Sequence, residues 1–325
     1  MKMQVEQVSY PLVRPFAITG YRFEAANTVQ VRLSDGEYSG RGEGMGVYYQ
    51  GENQQSMAEQ LESVVSAVES GAGRQDVRDL LPAGGALNAL DCALWDLEAK
   101  RGGTSVWQLL NMQPKPLTTV CTIGIDTPEV MADLARQHSR YPNLKIKLSE
   151  DAPIERLEAI RAARPDAALV IDVNQGWSIE ELREYAPATQ RLGIAMIEQP
   201  LKRGDDEALE GYVSPVPLGA DESCLHAEDY ERVARYYSVI NIKLDKCGGL
   251  TQGLELAKLA QRDGKTLMVG NMTGSSLSMA PAFVIGQFCQ FVDIDGALFL
   301  SRDIENGLDY GEGGVVAVPS PALWG

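Results

Sequence analysis

The chain has 325 residues, 44% of them hydrophobic, enough for one barrel of about 250 residues and a smaller companion domain. Its formal net charge of −16 argues against a nucleic-acid partner, since such proteins present basic faces to phosphates. No run of about 18 apolar residues offers a membrane span, and the opening Met1-Lys2-Met3-Gln4-Val5-Glu6 holds no apolar core of a secretory leader.

Residues 2–10 and 27–33 alternate as strands, and Ser34-Asp35-Gly36 marks a turn into a third strand around 37–43. Helices are expected over 53–70 and 85–101. The second reads as amphipathic, with Leu87, Leu90, Ala93, Leu94 and Leu97 on one face and Gly102-Gly103 as its stop. Pro114 and Pro116 mark a linker. Residues 1–115 therefore read as an α+β capping domain, with specificity loops, completed by 301–325.

From residue 118 the pattern becomes short apolar strands, each followed by a helix. The strands are Val120–Ile123, Leu144–Leu148, Leu169–Val173, Ala195–Ile197, Leu218–Ala220, Val239–Leu244, Thr266–Val269 and Phe291–Ile294. Brief, wholly apolar runs suit parallel strands covered on both faces. Eight of them predict an α/β fold, a modified TIM barrel of (β/α)7β type over 116–300 behind the N-terminal α+β cap.

Charged residues fall at the C-terminal ends of these strands, the rim on which barrel enzymes build their sites. Asp172, Glu198 and Asp221 end three consecutive strands, recurring at roughly one strand–helix unit of 25 residues. One such acid alone would read as a helix cap or a loop ion pair. Three converging carboxylates repel one another unless a cation sits among them, and an all-oxygen set suits Mg²⁺, one per subunit. Lys147 and Lys243 lie on strands to either side of the trio, placed to address opposite faces of one bound carbon. Lys145 shares Lys147's strand face, and its charge would lower the pKa of a neighbouring amine. A metal on a carboxylate and two opposed lysines are the parts needed to remove and return the proton on the adjacent carbon. Asp293 and Asp295 lie on the eighth strand.

The remaining reactive residues point nowhere else. Five cysteines stand singly at 92, 121, 224, 247 and 289, which fits a reducing cytoplasm. His138 and His226, the only histidines, read as surface residues, which leaves no basis for a Ser–His–Asp triad or a His-ligated metal.

With these residues in hand, the chain resembles the muconate-lactonizing subgroup of the enolase superfamily, and within it the dipeptide epimerases. The resemblance rests on Asn88-Ala89-Leu90-Asp91-Cys92-Ala93-Leu94-Trp95-Asp96-Leu97, Leu144-Lys145-Ile146-Lys147-Leu148 and Asp172-Val173-Asn174-Gln175-Gly176-Trp177. Glu198-Gln199-Pro200, Ala220-Asp221-Glu222-Ser223 and Asn241-Ile242-Lys243-Leu244-Asp245-Lys246 complete it. It implies that Asp172, Glu198 and Asp221 hold Mg²⁺ and that Lys147 and Lys243 exchange a proton in two-base 1,1-proton transfer through an enediolate. The seventh strand ends Met268-Val269-Gly270-Asn271, without the histidine that the mandelate-racemase subgroup would place there.

The resemblance further implies a small dipeptide substrate, epimerised at its C-terminal residue, with Ala-Glu as the expected pair and cell-wall peptide recycling as the setting. Asp293 and Asp295 would bind the α-ammonium. Residues 14–26, punctuated by Pro15 and Gly20, resemble the family's mobile specificity loop, from which Arg22 would pair with the glutamate and Phe16 would close over it. Met272, Thr273 and Ser275 follow the seventh strand; Met272 is expected to touch substrate, and the Tyr48-Tyr49-Gln50-Gly51 loop to line the pocket. Barrels of this kind commonly form homo-oligomers. A lyase or cycloisomerase on the same scaffold, such as an o-succinylbenzoate synthase or a muconate-type lactonizing enzyme, would use the same metal and lysines but have no need of Asp293 and Asp295.

Overall fold

The computed structural model describes residues 1–325. It opens with three antiparallel strands paired in chain order: β1 (Lys2–Ile18), β2 (Tyr21–Asp35) and β3 (Tyr38–Met45). The first two are far longer than expected, because residues 14–26 are not an irregular loop. They extend the β1–β2 hairpin, with Phe16 opposite Phe23, Ala17 opposite Arg22 and Ile18 opposite Tyr21, after a register shift between Pro11 and Phe16. β1 is an edge strand, so its prolines break no central ladder. The aromatic and β-branched residues at the tip favour cross-strand pairing.

Helices α1 (Gln54–Glu69), α2 (Arg74–Leu80) and α3 (Gly85–Arg101) cover this sheet. α1 starts with a reciprocal capping box between Asn53 and Ser56. α3 is not half-exposed as its leucine stripe implied; it is buried almost all round. The cause lies in β3. Gly40, Gly42 and Gly44 point the same way, and a Cβ on Gly42 would sit 2.1 Å from Ala89 O. The bare strand lets α3 lie with its backbone directly on the sheet, while barrel residues cover its other side.

After α4 (Val106–Leu109) and β4 (Leu117–Thr118) the chain enters the barrel. Its elements are β5 (Cys121–Ile123), α5 (Pro128–Gln137), β6 (Asn143–Lys147), α6 (Pro153–Ala163), β7 (Ala168–Asp172), α7 (Ile179–Arg191) and β8 (Ile194–Glu198). They continue with β9 (Leu218–Ala220), α8 (Ala227–Ala234), β10 (Val239–Ile242), α9 (Leu244–Cys247), α10 (Leu250–Arg262), β11 (Thr266–Val269), α11 (Ser276–Gly286) and β12 (Phe291–Val292). All eight expected strands are present in one parallel, curled sheet in chain order. A 3₁₀ turn, Asp206–Leu209, stands between β8 and β9 where the other units carry a helix. No strand ladder joins β5 to β12. That seam is bridged by Val120 N–H donating to Val292 O (2.9 Å), Ile294 N–H donating to Thr119 Oγ1 (3.1 Å) and Thr122 N–H donating to Asp295 Oδ2 (2.7 Å).

Strand alternation sorts the side chains. Ile146, Ile171, Ile197, Ile240, Ile242 and Val269 point outward into the main core beneath the helices. Val170, Met196, Val239 and Met268 form a small apolar layer inside the barrel. Two residues further along the same strands, the inward positions are Asp172, Glu198, Asn241 and Gly270. The barrel thus has an apolar floor with a polar layer directly above it.

The C-terminal segment returns to the cap. β13 (Val315–Val316) pairs antiparallel with β4, Trp324 Nε1 donates to Cys92 O at 2.9 Å, and Gly325 N–H donates to Asp96 Oδ1 at 2.7 Å.

Candidate active site

Asp172, Glu198 and Asp221 are each fully buried and bring one carboxylate oxygen apiece within 4.8 Å of one another. Asp172 and Glu198 end β7 and β8, and Asp221 directly follows β9, so their convergence follows from strand register: Asp172 pairs with Glu198 across β7–β8. Asn241 Nδ2 donates to Glu198 Oε1 at 2.6 Å. Lys145 Nζ lies 2.9 Å from Glu198 Oε2, yet off hydrogen-bond geometry, so that buried oxygen accepts no hydrogen bond. An all-oxygen set with an unsatisfied buried carboxylate oxygen fits a hard divalent cation.

Both sequence-expected lysines reach this cluster. Lys147 Nζ donates to Asp172 Oδ2 at 2.5 Å and to Asn174 Oδ1 at 3.2 Å. Lys243 Nζ donates to Asp221 Oδ2 at 2.5 Å. Lys145, only 1% exposed, places its ammonium 2.8 Å from Asp293 Oδ2 and 3.2 Å from Asp172 Oδ2. Burial would lower its pKa, but the carboxylates of Asp293, Glu198 and Asp172 overcome that and hold it well above the usual lysine value. Lys145 is therefore a fixed positive charge inside the barrel.

The acids divide by the company they keep. Burial would raise Asp221's carboxyl, yet Lys243, Lys246 and Lys145 hold it far below the ordinary range. Asp172 is likewise held down by Lys147, Lys145 and Lys243 against its own burial. Glu198 is pushed up to about 7 by burial and by Asp172, and Glu222 up to about 8 by burial and by Asp221 and Asp172. Burial and mutual repulsion among these acids thus work against ionisation of Glu198 and Glu222, a setting that a bound cation would relieve.

Above the lysines lies a cavity of about 50 Å³ lined by Lys147, Lys243, Asn174, Asn271 and Thr273 on the barrel side. Leu12, Phe16, Ile18, Phe23 and Ala25 of the hairpin roof it, with Met45, Tyr48, Met272 and Phe299. Phe16 and Met272, expected at the substrate, are among the residues that line this cavity. The Phe16 and Phe299 rings meet at 4.9 Å and close one side.

Arg22 is not brought into this cavity. It is solvent-exposed and borders a separate cavity on the far side of Phe16, with Arg14, Ala17 and Asp126. Strand pairing turns its side chain away: Phe23, its neighbour with opposite parity, takes the inward place. Asp293 and Asp295 do not line the catalytic cavity either. Asp293 is held by Lys145 and by Asn271 Nδ2 (3.0 Å to Oδ1), and Asp295 by the Thr122 N–H across the barrel seam. Burial and the adjoining Asp293 push Asp295's carboxyl well above its ordinary value.

Sequence reasoning assigned no role to Asn174, Glu222, Asn241 or Lys246. Lys246 Nζ donates to Asp221 Oδ1 at 2.6 Å and to three backbone carbonyls. Asn241 carried a usable signal, since it shares inward parity with Val239 and Lys243. Glu222 and Lys246 lie beyond strand ends, where alternation says nothing.

The comparisons with known proteins agree with this geometry. Residues 2–111 match the N-terminal domain of the mandelate racemase / muconate lactonizing enzyme family, and residues 130–321 match the enolase C-terminal domain-like family. The chain is 38% identical to an L-Ala-D/L-Glu epimerase from Escherichia coli, over 96% of this chain and 98% of the relative. It is 42% identical to an N-acetyl-D-glutamate racemase from a Pseudoalteromonas species, over 75% of this chain and 78% of the relative. A solved enolase family member from Agrobacterium tumefaciens, with homology to dipeptide epimerases and with bound sodium and L-Ala-L-Glu, superimposes with a TM-score of 0.96 at 39% identity, covering 99% of both chains. The fold, the carboxylate trio at its strand ends and these matches lead to one assignment: the chain belongs to the mandelate racemase / muconate lactonizing enzyme family of the enolase superfamily.

Proposed function

We propose that the protein is a Mg²⁺-dependent isomerase that epimerises the C-terminal residue of a dipeptide, with L-Ala-L/D-Glu as its substrate pair. The observation that carries this reading is the pair of lysines, Lys147 and Lys243, lining one cavity from opposite sides of the Asp172–Glu198–Asp221 trio. Those three carboxylates would hold the ion. When bound, Mg²⁺ supplies positive charge where the substrate carboxylate gathers the electrons left by the departing α-proton. Lys147 and Lys243 exchange that proton from opposite faces, one as free amine and one as ammonium, so the α-carbon leaves inverted. Lys145 adds a charge that does not titrate in the working range, and the aromatic roof excludes water. The setting we infer is recycling of cell-wall peptides in the cytoplasm, consistent with five free cysteines.

A second reading draws on Asp293 and Asp295. Both carboxyls are already engaged by Lys145, Asn271 and Thr122, which leaves less for a substrate ammonium. An N-acylated amino acid carries no ammonium and would use the same metal and lysines.

Incubation with Mg²⁺ in D₂O against L-Ala-L-Glu, other L,L-dipeptides and N-acetyl-glutamate, read by mass spectrometry, tests both. Gain of one mass unit by Ala-Glu with appearance of its epimer is expected, and Lys147→Ala and Lys243→Ala should each reduce epimerisation on the order of 10³-fold. Exchange confined to N-acetyl-glutamate would move the assignment to the second reading. Exchange with neither would remove the isomerase assignment and leave a lyase or cycloisomerase.

A further inference from the structure

The two lysines are held in different ways. Lys243 is confined along its stem: Gly270 clears space beside it, and a Cβ there would lie 2.9 Å from Lys243 Cε. Its ammonium has one hydrogen-bond partner, Asp221. Lys147 is confined at its tip. Besides Asp172, it donates to Asn174 Oδ1, and Asn174 Nδ2 in turn donates to Glu222 Oε1 at 3.2 Å. Asn174 is 8% exposed and sits in the left-handed region at φ 46°, where Asn is favoured among non-glycine residues. Its N–H donates to Asp172 Oδ1 at 3.0 Å, so one tight turn carries both the carboxylate and the amide that meet Lys147.

An amide presents an oxygen at one end and an NH₂ at the other. Glu222 Oε1 accepts from the NH₂ end of Asn174, which turns the amide oxygen toward Lys147. Glu222 is 2% exposed, and its Oε1 takes that bond. The chain Glu222–Asn174–Lys147 therefore fixes the direction from which one lysine approaches the cavity, and Lys243 has no counterpart to it.

We infer that Asn174, oriented by Glu222, is a positioning residue for Lys147 alone, so that its loss disables proton transfer on one face of the substrate and spares the other. This rests on the two-lysine reading above. A lysine that takes an α-proton becomes an ammonium, exchanges with D₂O and can return deuterium to the same face. Each epimer thus reports on the lysine its α-hydrogen faces, even when inversion fails.

The test follows deuterium uptake separately from each epimer in the full-length, Mg²⁺-loaded protein. Asn174→Gly removes the side chain while tolerating the positive φ. The epimer facing Lys147 should lose exchange on the order of 10²-fold, the penalty of a mis-set reacting group. The other epimer should still exchange within about threefold of the parent while its inversion falls with the first. Mg²⁺ affinity, read by calorimetry without substrate, should stay within about threefold. Glu222→Gln, which keeps an oxygen for Asn174, should retain exchange on both faces, and Glu222→Ala should reproduce the one-sided loss. Equal loss from both epimers, a raised KM for both at unchanged kcat, or weakened Mg²⁺ binding would each overturn the assignment. If the parent exchanges neither epimer, the two-lysine reading falls first and this inference with it.

Discussion

Asp245 is buried where the cap meets the barrel, and its Oδ1 accepts from Met45 N–H at 2.9 Å and from Asn88 Nδ2 at 2.8 Å. Burial raises its carboxyl to about 7, with Glu52 and Glu43 adding to the shift. The native state therefore favours the protonated form. The associated stability is full below the ordinary carboxylate pKa and is lost as pH rises through about 7. A shift of about three units corresponds to about 4 kcal/mol. Asp245→Asn keeps an acceptor for both donors and removes the charge. In thermal melts the variant should match the parent at pH 4 and exceed it at pH 8; a variant that melts lower at pH 8 would refute the assignment.

At this scale the metal trio and the lysines were legible because strand-end carboxylates and opposed amines are chemically conspicuous. Arg22 lies outside the cavity because its face depends on hairpin register, which the loop-like spelling of residues 14–26 concealed. Asp293 and Asp295 were read as ammonium ligands, and their engagement by Lys145 and Thr122 depends on contacts between strands far apart in sequence.

Among the elements, the packing of β3 on α3 is the least forgiving. Gly42→Ala would press a methyl group into Ala89 O and Ala93 N, backbone atoms that cannot turn aside. A loss of about 3 kcal/mol or more is expected, seen as a lower Tm or failure to accumulate folded protein. Gly36→Ala provides the contrast: nothing lies within 4 Å of its missing Cβ, so only its positive φ opposes the change, at about 1 kcal/mol. Comparable melting of the two variants would show that close approach is not what the β3 glycines provide. The alternating glycines were visible in the sequence, but their meaning depends on which helix lands there. The barrel strands needed no such knowledge, since their apolar runs and even spacing already named them.

On the scale of the whole molecule, two more devices help join cap to barrel beside the Asp245 junction. One is the C-terminal return, which buries Trp324 against α3 and donates its indole N–H to Cys92 O. The other is the hairpin tip. Thr19 Oγ1 lies 3.0 Å from Leu148 O and 3.1 Å from Val173 O, carbonyls that immediately follow Lys147 and Asp172. Ala17 O accepts from Ile125 N–H at 3.1 Å. The eight-stranded barrel and its cap could be read from sequence order alone. The latch could not, because it ties residues more than a hundred positions apart through a single hydroxyl.

The roofed cavity has a consequence for the clock of the enzyme. The cavity of about 50 Å³ is roofed by Leu12, Phe16, Ile18, Phe23 and Ala25 of the hairpin. Substrate entry and product release are expected to lift this hairpin, parting Phe16 from Phe299 and Thr19 from its two carbonyls. A lift that limits turnover would feel solvent drag. In added sucrose, kcat at saturating substrate should fall in proportion to relative viscosity, whereas Thr19→Val, with its latch undone, should respond less and show a higher KM. A kcat indifferent to viscosity in the parent would place the slow step at the α-carbon.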